Sequence, residues 1–351
     1  MQYIKDLTTL ELDNYFEKIG EKKFRTKQLF NALYQQKINN FNEITTFSSS
    51  LKKQLEENFY INSLELETIR ESIDGTKKIL YSIVNKNEFI ETVFLPNNVN
   101  DTTNKKNTIC ISTMLGCPVN CIFCATAKLG FKRTLTASEI IDQILITEKI
   151  INKKIDNVVI MGMGEPLLNF NNTILAIRTL IENNIIKHRN ITLSTIGIPN
   201  KIIELADSNI KIKLALSLHS PFDDIRKKLI PMASNLSDIF NSLEYYYKKT
   251  KLPITFEYIL LKGLNNRNMD ILQLSKLIKK FPSKINIIPF NDISFTNTDY
   301  DIKGANTKEI NIFSKKLYQN KIMSIIRKSQ GQDIEAACGQ LAYSKTKIKF
   351  K

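Results

Sequence analysis

The feature that most limits the possible folds is an alternation of strand-like and helix-like segments from residue 108 onward. The strand-like runs are TICIST, NVVIMGMG, NITLSTIG, KLALSLHS, ITFEYILL, KINIIPFN and MSIIRKS. Helical spacing of apolar residues predicts helices between them, at 136–152, 171–184, 199–207, 237–250, 268–280 and 307–320. Continuous apolar runs are typical of parallel strands buried on both faces. About six such units predict an α/β fold with a partial (β/α)6 barrel, whose site should lie at the carboxyl ends of the strands.

The amino-terminal part of the chain follows a different pattern. Residues 7–60 have helical spacing that begins at Thr8 or Thr9 as a candidate cap. Residues 64–96 contain three strand-like runs with a turn at Asp74-Gly75. The polar segment PNNVNDTTNKKN predicts a linker. We therefore expect three parts, listed here with their bounds: a small helical accessory domain (1–62), a short-strand linking segment (63–100) and the barrel with a carboxyl-terminal segment (101–351).

The chain is strongly basic. Its 50 Lys and Arg residues exceed its 35 Asp and Glu residues, for a formal net charge of +15. This surplus favours a polyanionic partner, nucleic acid first, although a genome rich in A and T also supplies excess Lys. The helical segment KKFRTKQLFNALYQQ places its basic residues largely opposite Phe24, Leu29, Phe30 and Leu33. That basic face is either an ordinary solvated surface or a contact surface for RNA.

The sequence gives no sign of a membrane protein. Its start has no apolar signal core, and no apolar run approaches the roughly 18–20 residues of a membrane span. We therefore expect a cytoplasmic protein without membrane contact.

Three of the five cysteines lie within one short loop, GCPVNCIFCATAKLGF. Cys117, Cys121 and Cys124 are spaced C-x3-C-x2-C, and in a reducing cytosol such clusters are more often metal ligands or catalysts than disulfides. A structural zinc ion takes four protein ligands, and the two histidines of the chain are remote from the loop. Cys110 or Cys338 could complete such a site. Three ligands suit a [4Fe–4S] cluster with one iron left open for a substrate or cofactor.

Other candidate residues stand at strand ends. The Gly-rich MGMGEP ends the second strand, where the absence of side chains lets the backbone approach a ligand. Ser194, Ser217, His219 and Asn291 follow later strands, and each alone is more typical of a turn or packing residue. By pattern alone, Glu91 in FIETVFLP is a solvent-facing strand residue.

The two remaining cysteines allow two interpretations. Alone, Cys110 and Cys338 are each typical of a small buried hydrophobic residue. If they can reach each other, they form a pair that cycles between thiol and disulfide.

Taken together, these segments resemble the RlmN/Cfr family of radical S-adenosylmethionine (SAM) adenosine methyltransferases, and within it the RlmN branch. The resemblance covers nearly the whole chain and rests on FIETVFLP, TICIST, GCPVNCIFCATAKLGFKRTL, MGMGEPLLN, ITLSTIG, LALSLHSP, INIIPFN and IEAACGQL. It implies a radical SAM partial barrel and an RNA-binding amino-terminal domain. It also implies that Cys117, Cys121 and Cys124 hold a [4Fe–4S] cluster, and that two molecules of SAM are used per turnover. The implied SAM contacts are Gly164, Glu165, Ser194, Ser217, Leu218, His219 and Asn291.

The resemblance also assigns the catalytic residues. Cys338 would carry the methyl group as S-methylcysteine, Glu91 would accept a proton from adenine, and Cys110 would resolve the protein–RNA adduct through a transient disulfide with Cys338. The implied substrates are 23S rRNA and, in some members, tRNA. A one-electron donor such as flavodoxin and a monomeric state are expected.

Three alternatives stay open at this point. GEPLLN favours methylation at C2 of adenine, but a Cfr-type enzyme would methylate C8 with the same five cysteines. A radical SAM enzyme of another kind, such as a sulfur inserter, would leave Cys338 unmethylated. A non-catalytic RNA-binding protein with a zinc loop would hold zinc and no iron.

Overall fold

The fold, obtained as a computed structural model, is described over residues 1–97, 106–296 and 302–342. The strands are β1 (Gln2–Tyr3), β2 (Phe59–Tyr60), β3 (Leu64–Glu71), β4 (Lys77–Ile83), β5 (Phe89–Leu95), β6 (Thr108–Cys110), β7 (Met114–Gly116), β8 (Phe131–Thr134), β9 (Asn157–Ile160), β10 (Ile191–Thr195), β11 (Lys213–Ser217), β12 (Ile254–Leu260), β13 (Ser283–Pro289) and β14 (Ser324–Ile326). The α-helices are α1 (Thr9–Lys18), α2 (Phe24–Phe30), α3 (Ser49–Asn58), α4 (Ala137–Ile151), α5 (Phe170–Glu182), α6 (Pro199–Asp207), α7 (Asp223–Leu229), α8 (Leu236–Thr250), α9 (Asn268–Leu277) and α10 (Thr307–Gln319).

One large sheet organises the molecule. Its strand order is β14-β13-β12-β11-β10-β9-β6-β5-β4-β3, and the strands from β6 to β14 are parallel. Helices α4 to α10 lie between or after these strands in the chain, which confirms the predicted partial barrel. The strands β3, β4 and β5 continue the same sheet in antiparallel pairing, with Val93 opposite Cys110. This pairing brings the start of β5 to the carboxyl ends of the parallel strands.

The amino-terminal helices share the core of the barrel. Helix α1 begins after Thr8, whose side chain accepts from the amide of Glu11 in a reciprocal capping box. Buried residues of α1 and α3 belong to one apolar cluster that extends through the barrel to Ile322. Among the described residues, no helix is long and apolar enough to cross a membrane. Most of the predicted linker, at 98–105, and the basic tail, at 344–351, lie outside the described residues.

Three local features differ from the sequence prediction. Helix α2 ends at Phe30 and continues as a π-helical turn over Asn31–Gln36. Phe24, predicted on the buried side, is 48% exposed because it lies in the first turn of α2, where the Arg25 guanidinium covers its ring at 5.0 Å. Helix α7 and the β7–β8 hairpin were not predicted, since both are too short to show a periodicity.

Candidate active site

A cavity of about 240 Å³ lies at the carboxyl ends of the parallel strands. All five cysteines of the chain line it, namely Cys110, Cys117, Cys121, Cys124 and Cys338. Six of the seven implied SAM contacts also line it: Gly164, Glu165, Ser194, Ser217, His219 and Asn291. The seventh, Leu218, is fully buried and is absent from the lining. The fold therefore brings together residues that are more than 200 positions apart in the chain.

The cysteine loop is closed by the β7–β8 hairpin. Val119 and Phe123 anchor it in a small apolar cluster with Leu229 of α7. Burial raises the pKa of Cys117 to about 12 and the pKa of Cys121 well above its usual range, and in both cases the neighbouring thiols add to the effect. The protein alone therefore disfavours thiolates at Cys117 and Cys121, and bound metal cations would supply the missing positive charge.

The glycines of MGMGEP are required for packing. A Cβ on Gly162 would lie 2.7 Å from the carbonyl oxygen of Ile111, and one on Gly164 would lie 2.6 Å from Cβ of Met114. Gly164 also has a φ of +105°, which L side chains rarely adopt. The sequence argument gave approach to a ligand as the reason for these glycines, and the structure adds close contact with the chain around β6 and β7.

Glu165 ties two strand ends together. Its carboxylate accepts from the amide of Leu167 at 3.1 Å and from the amide of Ile196 at 2.9 Å. Burial raises its pKa to about 7, although these hydrogen bonds act in the opposite direction. The side chain thus fixes the loop after β9 against the end of β10.

His219 is a neutral imidazole in the cavity wall. Its backbone is left-handed, with a φ of +54°, and its Nδ1 accepts from the amide of Ile259 at 3.1 Å. Burial, with a contribution from Arg226, lowers its pKa to about 3. Because Nδ1 is an acceptor, the single ring proton sits on Nε2. The ring also contacts Phe123 edge-on at 4.7 Å, which joins the strand end to the cysteine loop.

The segment that carries Cys338, residues 331–342, is hydrogen-bonded to the cysteine loop, residues 117–130. The carbonyl of Gly339 accepts from the amide of Ala125 at 2.7 Å, and the carbonyl of Leu341 accepts from the Thr126 hydroxyl at 2.7 Å. The Cys338 side chain is exposed to the cavity, yet the surrounding protein desolvates it and raises its pKa.

Asn291 is hydrogen-bonded to the Cys338 segment through both ends of its side-chain amide. Its Nδ2 donates to the carbonyl of Cys338 at 3.1 Å, and its Oδ1 accepts from Gln332 at 2.8 Å. Both ends of this amide, implied as a SAM contact, are therefore engaged by the segment that carries Cys338.

Glu91 is buried, so its interpretation from pattern as a solvent-facing residue was wrong. Its side chain on β5 is covered by the sheet and the carboxyl-terminal segment, and only 3% of the residue is exposed. Lys78 on β4 lies 3.1 Å from its carboxylate. Burial raises the pKa of Glu91 above its ordinary value, and Lys78 acts in the opposite direction. Its strand neighbours Val93 and Leu95 line the cavity.

Comparison with known proteins identifies the family. Residues 111–274 match the radical SAM superfamily, and residues 3–61 match the ribosomal RNA large subunit methyltransferase N-terminal domain. The chain is 42% identical over 354 residues to a probable dual-specificity RNA methyltransferase RlmN from Thermotoga petrophila, covering 99% of each. A protein of the same description from Flavobacterium johnsoniae is 36% identical, with 98% of each covered. The chain belongs to the RlmN family of radical SAM RNA methyltransferases.

A solved structure supports the same conclusion. A radical SAM methyltransferase from Sphaerobacter thermophilus superposes with a TM-score of 0.88 at 31% identity, covering 97% of this chain and 99% of that one. Membership of the RlmN family implies a [4Fe–4S] cluster and SAM, and it argues against the zinc-loop and sulfur-inserter alternatives.

The cysteine loop fits such a cluster. Among the residues described, no three His, Cys, Asp or Glu side chains converge as ligands of a single ion would. The three loop cysteines border the cavity, and three thiols in one loop are a donor set that suits a [4Fe–4S] cluster.

Sequence reasoning missed several charged residues of this RlmN-family site. Glu257 on β12 lines the cavity, and its carboxylate accepts a hydrogen bond from Asn286 at 2.8 Å. Burial is the main cause of the raised pKa of Cys338, and the charge of Glu257 is the second cause. Arg226 on α7 is fully buried, and its hydrogen bonds go to main-chain carbonyls at the ends of β10 and β11 and in the following loop, those of Ile196, Ser217, Leu218 and Ser234. Lys78 was also missed. The available signal for Glu257 was a charged residue inside the otherwise apolar strand β12.

Proposed function

We propose that this RlmN-family chain methylates C2 of an adenine in RNA, in 23S rRNA and in tRNA, with Cys338 as the methyl carrier. The observation that carries the proposal is that Cys338 lines one cavity with Cys110 and the three loop cysteines. Two hydrogen bonds from the cysteine loop to the Cys338 segment support a working contact between them. The radical formed at the cofactor must reach the methyl group on Cys338, so Cys338 has to lie close to the cysteine loop.

Separate residues would hold the two cofactors, the cluster and SAM. Cys117, Cys121 and Cys124 would hold the cluster, and the remaining iron would bind SAM. When bound, these groups would supply the 5′-deoxyadenosyl radical that abstracts an unactivated hydrogen. The carboxylate of Glu165 fixes the adjoining strand ends, and the Nε2–H of neutral His219 is available to donate a hydrogen bond.

The cysteines would act in sequence. The sulfur of Cys338 attacks the methyl carbon of a first SAM, its S–C bond forms as the SAM sulfonium bond breaks, and the thiol proton is lost. A hydrogen is then removed from this methyl group with a second SAM, and the carbon adds to C2. This route suits C2 of adenine, which is electron-poor and cannot itself attack a SAM methyl group.

Release would depend on Glu91 and Cys110. Glu91 accepts the proton from C2 of the adduct. The unpaired electron that the radical addition leaves on the adduct would return to the cluster. Cys110 then loses its thiol proton and attacks the sulfur of Cys338, so that an S–S bond forms while the bond from sulfur to the adenine-linked carbon breaks. The electron pair of that broken bond goes to the carbon, which takes up a proton and becomes the methyl group. Burial raises the pKa of Cys110, and the neighbouring Cys338 adds to this effect, which is consistent with two thiols in mutual reach.

The remainder of the chain would bind the RNA. We propose that residues 1–62 form the RNA-binding domain, joined through 63–100 to the catalytic part, 101–351; the match of residues 3–61 to a ribosomal RNA methyltransferase domain supports this. A base must leave its stack to enter the cavity. With a net charge of +15, binding should weaken steeply as salt is raised.

Peptide mass spectrometry tests the carrier. Reconstituted protein incubated with SAM should gain one methyl group on Cys338, and the Cys338→Ala variant should gain none. Cleavage of SAM with Cys338 left unmodified would overturn the methyl-carrier mechanism. Nucleoside analysis of the RNA product then separates 2-methyladenosine from the 8-methyladenosine of a Cfr-type enzyme.

A further inference from the structure

Lys78 bridges Glu91 and the segment that carries Cys338. Its ammonium lies 3.1 Å from Oε1 of Glu91 on the neighbouring strand. It also donates to the main-chain carbonyl of Glu335 at 3.2 Å and lies 3.9 Å from the Glu335 carboxylate. The Lys78 residue is only 7% exposed, so water does not screen these contacts effectively.

One carboxylate oxygen of Glu91 is an unsatisfied hydrogen-bond acceptor within the described part of the chain. Its Oε2 is buried and has no hydrogen-bond partner among the described residues. The amide of Ala342, in the Cys338 segment, lies near enough to the carboxylate to favour its ionised form. A buried carboxylate oxygen without a partner is destabilising, so its presence calls for a reason. An acceptor kept free for an incoming proton supplies that reason.

The Cys338 segment is held over this carboxylate from one side by the β3–β4 turn. The amide of Gly331 donates to Asp74 at 2.9 Å, and the hydroxyl of Ser72 donates to Asp333 at 2.5 Å. Glu335 itself has a left-handed backbone, with a φ of +55°. That conformation turns its carbonyl into contact with Lys78.

We propose that Lys78 is a positioning residue that keeps Glu91 ionised and aimed at the adduct while the Cys338 segment is seated. The carbonyl of Glu335 anchors the ammonium, and the ammonium stabilises the carboxylate. The proton of the adduct then leaves C2 for Glu91, and the electron pair of the C–H bond stays on the adduct. Removal of Lys78 should therefore slow release of RNA without affecting the earlier methylation of Cys338. The inference rests on the proposed roles of Glu91 and Cys338.

The test follows each step separately in the reconstituted holoenzyme. The probe is an RNA transcript with the 23S rRNA adenosine that RlmN-family enzymes modify, supplied with SAM and a reductant. Mass spectrometry reports methylation of Cys338, a denaturing gel reports the covalent protein–RNA adduct, and nucleoside analysis reports released product. In the Lys78→Met variant, Cys338 should be methylated normally, while the adduct accumulates and product appears on the order of tenfold more slowly.

Matched variants separate this role from a general loss of stability. Lys77→Met is the control, because Lys77 pairs with exposed Glu71 and should release RNA at the wild-type rate. Lys78→Gln keeps a neutral donor at the same place and is used if Lys78→Met does not fold, with the same accumulation of adduct expected. Lys78→Arg restores the positive charge and should recover most of the rate.

Two results would overturn the inference. One is release of RNA at the wild-type rate from folded Lys78→Met or Lys78→Gln protein. The other is loss of Cys338 methylation in these variants, which would place Lys78 at an earlier step. Failure of the wild-type protein to methylate Cys338 would instead overturn the proposed function, so the two failures are distinct.

Discussion

At the scale of single residues, His219 couples stability to pH. Its pKa is about 3 in the folded chain against an ordinary 6.5, because burial disfavours the charged ring. Between these values the unfolded chain binds a proton that the folded chain does not. Stability that is fully present above pH 6.5 is therefore lost as the pH falls, by up to about 1.4 kcal/mol per pH unit.

The His219→Asn variant should lack this loss. Asn tolerates the left-handed backbone of position 219 and offers an acceptor to the amide of Ile259. Urea unfolding of the apo-protein at several pH values between 6.5 and 4.5 should show a shallower decline than wild type. Exposed His188→Asn is the control and should follow the wild-type decline. Equal slopes for wild type and His219→Asn would contradict the prediction.

Arg226 should be the most costly single arginine to replace. In Arg226→Met, the main-chain carbonyls of Ile196, Ser217 and Ser234 lose this donor, and each unsatisfied buried acceptor costs about 1–3 kcal/mol. The carbonyl of Leu218 still accepts from the amide of Ser220. We expect a loss of at least about 3 kcal/mol in the free energy of unfolding, measured by urea denaturation. Arg178→Met, on the exposed face of α5, should change it by less than about 0.5 kcal/mol. If Arg226→Met lowered the free energy of unfolding as little as Arg178→Met, the loop after β11 would have closed around the space left by the guanidinium.

The sequence indicated some site residues and not others for a physical reason. Cys117, Cys121 and Cys124 were indicated by their unusual spacing, whereas Cys110, Cys338 and His219 were indicated only by the resemblance to a family. Glu91 and Lys78 were misjudged or missed because the segment that covers them is more than 200 residues away in the chain, which leaves no local pattern. Arg226 was missed because its partners are main-chain carbonyls, which carry no signal in the sequence. Only tertiary structure shows that a charged side chain has lost its water.

At the scale of elements, the β7–β8 hairpin controls the cysteine loop. Gly116, which directly precedes Cys117, has a φ of +73°, and a Cβ there would lie 1.6 Å from the carbonyl oxygen of Gly130. The clash is with the backbone of Gly130 rather than with a flexible side chain, so Gly116→Ala must open the hairpin. We expect this variant to lose most of its iron after anaerobic reconstitution, measured as iron and sulfide per chain.

Gly130→Ala provides the matched control for the hairpin. Gly130 has a similar φ of +67°, yet a Cβ there meets nothing within 4 Å. Its ψ of 176° puts Gly130 in a backbone region essentially restricted to glycine, so the variant carries backbone strain of about 1–3 kcal/mol without a clash. It should keep the iron content of wild type. Similar iron loss in both variants would mean that backbone strain, rather than the clash, disrupts the loop.

Most elements could be predicted because their length lets a periodicity appear. Helix α6 was expected at 199–207 and is observed there, and α4 differs from its predicted bounds by one residue at each end. The hairpin around the cysteines has strands of three and four residues, too short for any alternation to show. Its existence depends on the pairing of Gly116 with Phe131, which is a tertiary contact.

At the scale of the whole molecule, a buried ion pair joins the amino terminus to the barrel. Lys5 pairs with Asp142 of α4 and donates to the carbonyl of Ile61 at 2.9 Å. The second oxygen of Asp142 accepts from the amide and the hydroxyl of Ser63, both at 2.7 Å. Both charged side chains are almost fully buried. The network therefore links the start of the chain, the segment after α3 and the first barrel helix.

Breaking this pair should destabilise both parts together. Lys5→Met leaves the carboxylate of Asp142 buried without its cation, which typically costs about 3–5 kcal/mol. Urea unfolding should show this loss in one transition, because the amino-terminal helices and the barrel share one apolar cluster. Exposed Lys18→Met is the control and should have little effect.

The double variant decides whether charge is the cause. Lys5→Met combined with Asp142→Asn removes the stranded charge but keeps an acceptor for Ser63, so it should recover part of the loss. If instead the double variant is less stable than Lys5→Met, the lysine contributes through packing of its side chain. Two separate unfolding transitions in wild type would show that the amino-terminal helices and the barrel unfold independently, against the shared core described above.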